Sequence, residues 1–76
     1  MALYDDVVEL AKTYMGPAAK KFVDRQISGH LDGVADGSQL APSHLDELSK
    51  WCFTSGKLLM DEAKAQDFSD KVKALK

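Results

Sequence analysis

The stretch from Pro42 to Met60 constrains the fold more than any other, because its apolar residues cover a wide arc of a helix. An arc this wide exceeds what a surface helix needs, so we expect neighbouring elements to cover it on most sides. The polar residues share one narrow opposite strip. At helical spacing the apolar line consists of Leu45, Leu48, Cys52, Gly56 and Leu59, flanked by Trp51 and Leu58 on one side and by Phe53 and Met60 on the other.

Three further amphipathic patterns predict three more helices. The first spans Leu3 to Met15, and the pair Gly16-Pro17 separates it from a second helix that runs from about Pro17 to Leu31. A last helix follows a bend at Asp61 to Ala63. Strand-like alternation of polar and apolar residues is absent. We therefore predict an all-α fold, a compact four-helix domain with a central buried helix, formed as a single domain by the whole chain.

The apolar faces of these helices supply the rest of the expected core. In the first helix the face consists of Leu3, Tyr4, Val7, Val8, Leu10, Ala11, Tyr14 and Met15. In the second it consists of Ala19, Phe22, Val23, Ile27 and Leu31, with Gln26 and His30 on the same side. In the last it consists of Ala65, Phe68, Val72 and Leu75.

Composition and charge set broad limits on function. The chain has 76 residues, of which 45% are hydrophobic and 29% charged, as in an ordinary globular domain. Its net charge of −2 gives no sign of a nucleic-acid partner. A phosphate-binding patch needs clustered, uncompensated cations, whereas Asp5, Asp6, Glu9 and Asp24 are interspersed with the possible cluster. We interpret that cluster as a solvated, compensated face; its members are Lys12, Lys20, Lys21 and Arg25.

Cysteine usage and the apolar runs bear on location. One cysteine cannot form a disulfide within its own chain, which fits a reducing cytoplasm. Apolar runs fall short of the roughly 20 residues that span a bilayer, so we expect no membrane partner. The start, Met1 to Asp6, lacks the basic region and the long apolar stretch of a secretion signal. We expect a cytoplasmic, unprocessed chain.

The residue types that most often carry chemistry are few. His30 and His44 are the only histidines and Cys52 is the only thiol, too few and too far apart in sequence for a structural zinc site. We expect His30 to be packed and hydrogen-bonded, His44 to be exposed, and Cys52 to be a buried small hydrophobe. The sequence leaves open whether His30 and Cys52 meet. We predict no catalytic residues and no metal.

Two loop motifs match known ligand sites only in part. With Asp32 as the first ligand of a calcium loop, Val34 and Ser43 stand where ligands are required, so the match fails. Ser38 follows Asp36-Gly37, which invites comparison with the serine of acyl carrier proteins, but the acid and the leucine of that motif are misplaced here. We interpret Ser38 as a turn residue and predict no cofactor.

Two residues of the Pro42–Met60 stretch bear on helix contacts. Glycine inside a helix costs about 1 kcal/mol of stability relative to alanine, so we expect that packing explains the presence of Gly56 at this position. The preferred interpretation is close approach of another helix of the same chain, and a dimer contact is the alternative. Trp51 fits a core residue and an interface anchor equally well.

Part of the chain resembles a known kind of module. Four segments follow one another along the chain: Tyr14-Met15-Gly16-Pro17-Ala18-Ala19, an amphipathic helix, Leu45-Asp46-Glu47-Leu48 and Glu62-Ala63-Lys64-Ala65-Gln66-Asp67-Phe68. In this order they resemble the small helical modules appended to bacterial signalling proteins, including serine/threonine kinases. The resemblance implies an interaction or regulatory role and brings no catalytic residues.

Taken together, these features predict a protein–protein interaction or regulatory module without catalytic activity. Its partner is a protein of unknown identity, with a homodimer as one possibility, and neither nucleic acid nor membrane is expected. The alternative is a small-ligand or acyl-chain carrier that uses a pocket between the helices. The possible interface consists of apolar residues towards the edges of their stripes: Tyr4, Val8, Trp51, Phe53, Leu58 and Met60.

Overall fold

The computed structural model describes residues 2–31, 33–34 and 37–75, and within them every regular element is helical. The α-helices are α1 (Leu3–Met15), α2 (Ala19–His30), α3 (Leu45–Gly56) and α4 (Glu62–Ala74). Short 3₁₀ turns lie at Gly16–Ala18, Gly37–Gln39 and Pro42–His44. The prediction of an all-α, four-helix domain is confirmed. Asp32 and Asp36 of the rejected calcium loop lie outside the described residues.

The four helices pack in a ring. α1 contacts α2 and α4, and α3 contacts the same two helices from the opposite side. The centre is filled by side chains with no exposed surface, and Phe68 of α4 is the largest of them. Its ring lies 5.1 Å from that of Tyr14 on α1 and 6.1 Å from that of Phe22 on α2, centroid to centroid. One phenylalanine therefore joins three of the helices.

The buried faces largely follow the predicted periodicity. Every apolar residue named for the second helix is buried, as are the first three named for the last helix. Along α3, the line Leu45, Leu48, Cys52 and Gly56 is buried as expected. The faces of the helices are therefore set by the spacing of their apolar residues.

The junction between α1 and α2 is tight, since only the 3₁₀ turn Gly16–Ala18 separates them. Gly16 adopts φ +59°, the left-handed region that glycine enters at little cost, and its N–H donates back to the carbonyl of Lys12. Pro17 follows in the 3₁₀ turn, where its missing N–H is not needed.

The predicted extent of the third helix is wrong at its end. The helix does not run to Met60 but stops at Gly56, and residues 57–60 form a turn. Asp61 then caps α4, because its Oδ1 accepts a hydrogen bond from the Lys64 N–H at 2.8 Å. Because α3 ends at Gly56, the chain can reverse direction and α4 can pack alongside α3. It also removes Leu59 from the apolar line, so that this side chain is 61% exposed.

Close packing between α3 and α4 relies on small residues. Gly56 faces Ala65, as the interpretation of a helix approach within the chain requires. One turn further on, the Ser69 hydroxyl donates a hydrogen bond to the Ser49 carbonyl oxygen at 2.8 Å. The Ser49 hydroxyl in turn donates to the Asp46 carbonyl oxygen. These buried hydroxyls are therefore satisfied, and the two helices approach without a polar penalty.

Candidate functional site

The turn between α3 and α4 displays two leucines to solvent. Leu58 is 86% exposed and Leu59 61% exposed, and they are the only large hydrophobic residues so exposed in the part of the chain that the structure describes. Their backbone is held by helix-like hydrogen bonds: the N–H of Leu58 donates to the Ser55 carbonyl oxygen and that of Leu59 to the Gly56 carbonyl oxygen. The two apolar side chains are therefore presented from a hydrogen-bonded turn.

The two leucines form one edge of a cleft against α2. This α2–α3 cleft has a volume of about 300 Å³ and is lined by Ala18, Lys21, Phe22, Arg25, Gln26, Ser55, Leu58 and Leu59. Towards its inner side Gln26 is 2% exposed, and its Oε1 accepts a hydrogen bond from the Ser55 hydroxyl at 3.0 Å. This partly buried bond ties α2 to the end of α3 on the inner side of the cleft.

The charged residues of the cleft are both cationic, in a chain whose net charge is negative. Lys21 and Arg25 are exposed and form no ion pair within residues 2–31, 33–34 and 37–75. By contrast, Lys12 pairs with Glu9, and Lys20 pairs with Asp24 at 3.1 Å. The predicted compensation of the basic face therefore holds for two of its cations, while the other two line the cleft.

A second, shallower apolar surface lies on the outer side of α3. A groove of about 340 Å³ is lined by Glu47, Lys50, Trp51, Phe53 and Thr54. Trp51 is half-buried, and its indole N–H donates to Glu47 Oε2 at 3.0 Å. The Lys57 ammonium lies 4.8 Å from the centroid of the Phe53 ring. Each of the two aromatic side chains on this surface therefore has a charged partner, Glu47 for Trp51 and Lys57 for Phe53.

Neither histidine occupies the environment expected for it. His30 is exposed instead of packed and hydrogen-bonded: it lies at the end of α2, and its ring stacks on that of Trp51 at a centroid distance of 4.0 Å and an angle of 8°. His44 is half-buried, and its Nδ1 accepts a hydrogen bond from the Ala41 N–H at 2.9 Å, which caps the 3₁₀ turn Pro42–His44 that precedes α3. Both histidines thus have structural contacts.

The remaining residues of the predicted interface lie in three different settings. Val8 is 8% exposed and belongs to the core, so it offers almost no surface to a partner. Met60 is half-buried and packs against the core from the turn. Tyr4 is also half-buried, and its hydroxyl donates a hydrogen bond to Asp24. Of the six residues, Leu58 is the one that the structure leaves most exposed.

Cys52 has the properties of a packing residue. It is fully buried, and this burial raises the pKa of the thiol to about 12. A cysteine nucleophile needs a lowered pKa and access for its substrate, and Cys52 has neither. Within the described residues, no three His, Cys, Asp or Glu side chains are grouped so as to hold a metal ion.

A third surface cavity, larger than the cleft and the groove, lies beside Tyr4. It has a volume of about 560 Å³ and is lined by Ala2, Tyr4, Lys20, Asp24, Ser28, Gly37 and Ser38. Ser38 is exposed at this site. The Lys20–Asp24 ion pair also lies here, so an acyl chain would have to displace or desolvate charged groups.

Comparisons of the chain with protein-family models, curated proteins and solved structures gave no match. The helices of the described residues are all too short or too polar to cross a bilayer.

The sequence indicated only part of this surface. Leu58 stands out as an edge residue of an apolar stripe, whereas Leu59 is expected inside because its spacing continues the buried line. Helical spacing gives Lys12 and Lys20 an acid three or four residues away and gives Arg25 none. Lys21 has Asp24 three residues further on, but that carboxylate pairs with Lys20 instead. A signal was present in Asp61, a favoured N-cap residue followed by a helical pattern, which marks the start of α4 and so limits α3.

Proposed function

We propose that this chain is a small helical protein–protein interaction module without catalytic activity, whose partner contacts the Leu58–Leu59 turn. The observation that carries the proposal is the paired exposure of two adjacent leucines beside a cleft. Burial of one such side chain is worth about 1.5–3 kcal/mol, a gain that folding of the chain itself does not realise here. Contiguous apolar surface of this kind is typical of interaction sites.

The ordered backbone of the turn supports the same proposal. Hydrogen bonds fix residues 57–60 on one side, and the Asp61 cap fixes the start of α4 on the other. A partner therefore pays little entropy to order the contact surface, which favours binding. The resemblance to modules of bacterial signalling proteins fits a regulatory setting, and the single free thiol fits a cytoplasmic one.

A second copy of the chain is one candidate partner. Closed two-fold dimers are the commonest way in which identical chains bury an apolar patch. Analytical ultracentrifugation of the wild type and of the Leu58→Ser/Leu59→Ser variant tests this case. Because both side chains are exposed, we expect the variant to keep its stability to within about 0.5 kcal/mol. A dimer that dissociates in the variant would identify a self-association surface.

Photo-crosslinking in the native cells tests the proposal as a whole. A photoreactive p-benzoylphenylalanine replaces Leu58 in one strain and Lys73, an exposed residue near the far end of α4, in a matched control. We expect discrete protein adducts from position 58 and few from position 73. If the two positions gave the same adducts, or if position 58 gave none, the Leu58–Leu59 turn would not be the interaction surface.

A further inference from the structure

The α2–α3 cleft combines an apolar edge with a basic edge. Leu58 and Leu59 form the first, and Lys21 and Arg25, which stand four residues apart on α2, form the second. Residues at this spacing lie on the same face of a helix about one turn apart. A ligand that follows the cleft therefore meets hydrophobic side chains on one side and two cations on the other.

We infer that this cleft receives an acidic, amphipathic segment of a partner protein, whose apolar side chains pack on Leu58 and Leu59 and whose carboxylates pair with Lys21 and Arg25. The inference rests on the proposed function and specifies the chemistry of the partner. A segment, rather than a folded surface, fits a cleft of about 300 Å³, which has room for a few inserted side chains.

Charge complementarity selects acidic partners. The charged residues lining the cleft are only Lys21 and Arg25, and both lack an ion pair in the described part of the chain. Each can therefore bind an incoming carboxylate without breaking an existing contact. The Arg25 guanidinium can also bind a carboxylate through two parallel hydrogen bonds, which fixes its orientation.

The same features disfavour a nucleic acid. Affinity for a phosphate backbone grows with the number of phosphates that cations neutralise, and the cleft supplies two cations. The exposed leucines add nothing to a phosphate contact, whereas an amphipathic segment uses both edges. Peptide recognition by an apolar groove with charged borders follows the same logic as helix-in-groove binding.

Selection of peptides from a random library tests the inference. The immobilised wild-type chain selects binders from a messenger-RNA display library of random peptides about 16 residues long, a length sufficient for a four-turn helix. We expect the selected peptides to be enriched in Asp and Glu and in large apolar residues. Their affinities, measured by fluorescence anisotropy, should fall at least tenfold for Lys21→Glu/Arg25→Glu and for Leu58→Ser/Leu59→Ser.

A matched charge control separates the cleft from the overall charge. Lys50→Glu/Lys73→Glu makes the same change in net charge at exposed positions outside the cleft, and we expect it to change affinity less than threefold. Circular dichroism melts confirm that all variants are folded before binding is measured. Equal losses in the charge-reversal variant and in its control would overturn the inference.

The remaining outcomes distinguish failure of the inference from failure of the proposed function. Selected peptides that need Leu58 and Leu59 but have no acidic excess would refute the acidic segment and leave the interaction surface standing. Peptides that bind the Leu58→Ser/Leu59→Ser variant as well as the wild type would overturn the inference. A wild-type dimer that loses its contact in that variant would also overturn it, since a second copy would then occupy the surface.

Discussion

The hydroxyl of Tyr14 on α1 donates a hydrogen bond to the carboxylate of Asp67 on α4, across 53 positions of sequence. Asp67 also pairs with Lys71 at 3.3 Å, and the ammonium of that lysine lies 5.8 Å from the centroid of the Tyr14 ring. The carboxylate of Asp67 therefore has a second partner on its own helix, which limits the directions in which its side chain can turn.

The other end of α1 has the same arrangement. Tyr4 donates to Asp24 on α2, Asp24 pairs with Lys20, and the Lys20 ammonium lies 5.7 Å from the centroid of the Tyr4 ring. Two Tyr–Asp–Lys clusters thus attach the two ends of α1 to two different neighbouring helices. These contacts fix the position of α1 in the ring in a way that apolar packing alone does not.

The first prediction concerns the contribution of each cluster to stability. Tyr14→Phe and Tyr4→Phe each remove one hydroxyl and keep the ring, so each should lower the free energy of unfolding by about 0.5–1 kcal/mol, the lower range for a hydrogen bond near solvent. The two sites are separated by ten residues of helix, about 15 Å, so their effects should add. Urea melts of the single and double variants measure this. A double variant as stable as the wild type would show that the clusters do not stabilise the fold.

The second prediction concerns pH. The pKa of Asp67 lies below its ordinary value chiefly because Tyr14 donates to the carboxylate, with Lys71 adding to the effect. The pKa of Asp24 is lowered by the Tyr4 hydroxyl and by Lys20, against an opposing effect of burial. We expect Tyr14→Phe to raise the pKa of Asp67 towards its ordinary value and to leave that of Asp24 unchanged. Tyr4→Phe should raise the pKa of Asp24 towards its ordinary value and leave that of Asp67 unchanged.

Carboxyl-carbon NMR titrations measure both groups, and each variant is the control for the other. A lowered pKa in the folded state contributes stability above the unfolded pKa near 3.8, and this contribution is lost as the pH falls through the folded value. The stability difference between wild type and variant should therefore shrink in acid. Identical titration curves for Asp67 in wild type and Tyr14→Phe would contradict the assignment of the hydroxyl as its main influence.

These clusters also show where sequence reasoning stops. Apolar spacing predicts the buried faces of α2 and α4 because each position is decided by its own helix and by the presence of a neighbour. It places Tyr4 and Tyr14 on the apolar face of α1 as well, and both rings do pack on the core. The partners of their hydroxyls depend on which helix lies beside α1 and on its position along the α1 axis. Local sequence patterns do not specify either.

The candidate site is less predictable than the fold for the same reason. Leu59 belongs to the buried line if α3 continues, and to the surface if α3 stops at Gly56. The choice depends on the competing cap at Asp61 and on the return of α4 along α3. The pairing of Lys20 with Asp24 is local, because the two residues are four apart on α2, but which face of α2 lies beside the end of α3 depends on packing. Long-range packing therefore decides which residues form the α2–α3 cleft.

The third prediction concerns Gly37, which the sequence identifies only as a turn residue. A Cβ built on Gly37 would overlap the ring of Tyr4, although its φ is not in the left-handed region. Gly37→Ala should therefore lower the free energy of unfolding by roughly 1–3 kcal/mol through overpacking. Gly29→Ala is the matched control, because no atom outside its own helix backbone lies within 4 Å of its Cβ. We expect that variant to gain up to about 1 kcal/mol from better helix propensity.

Thermal and urea melts of both alanine variants give the comparison. In Gly37→Ala the Tyr4 ring has to move, so the Tyr4–Asp24 hydrogen bond should be lost and the pKa of Asp24 should rise. If Gly37→Ala were as stable as Gly29→Ala, the Tyr4 ring would have room to move at no cost, and the contact would not position the start of α1.

The last prediction concerns the approach of α3 to α4 at Gly56. A Cβ at this position would lie 3.6 Å from the Ala65 Cβ and 3.9 Å from the Met60 Cε, which are ordinary contact distances. Gly56→Ala should therefore be neutral or stabilising by up to about 1 kcal/mol, since alanine is the better helix former. Gly56→Leu should destabilise by roughly 1–3 kcal/mol, because its further atoms meet Ala65 in a packed interface. Urea denaturation of the two variants separates the effect of side-chain size from that of backbone conformation. An equal loss of unfolding free energy in both would mean that glycine is needed for its backbone conformation. Wild-type stability of Gly56→Leu would mean that α4 does not pack closely here.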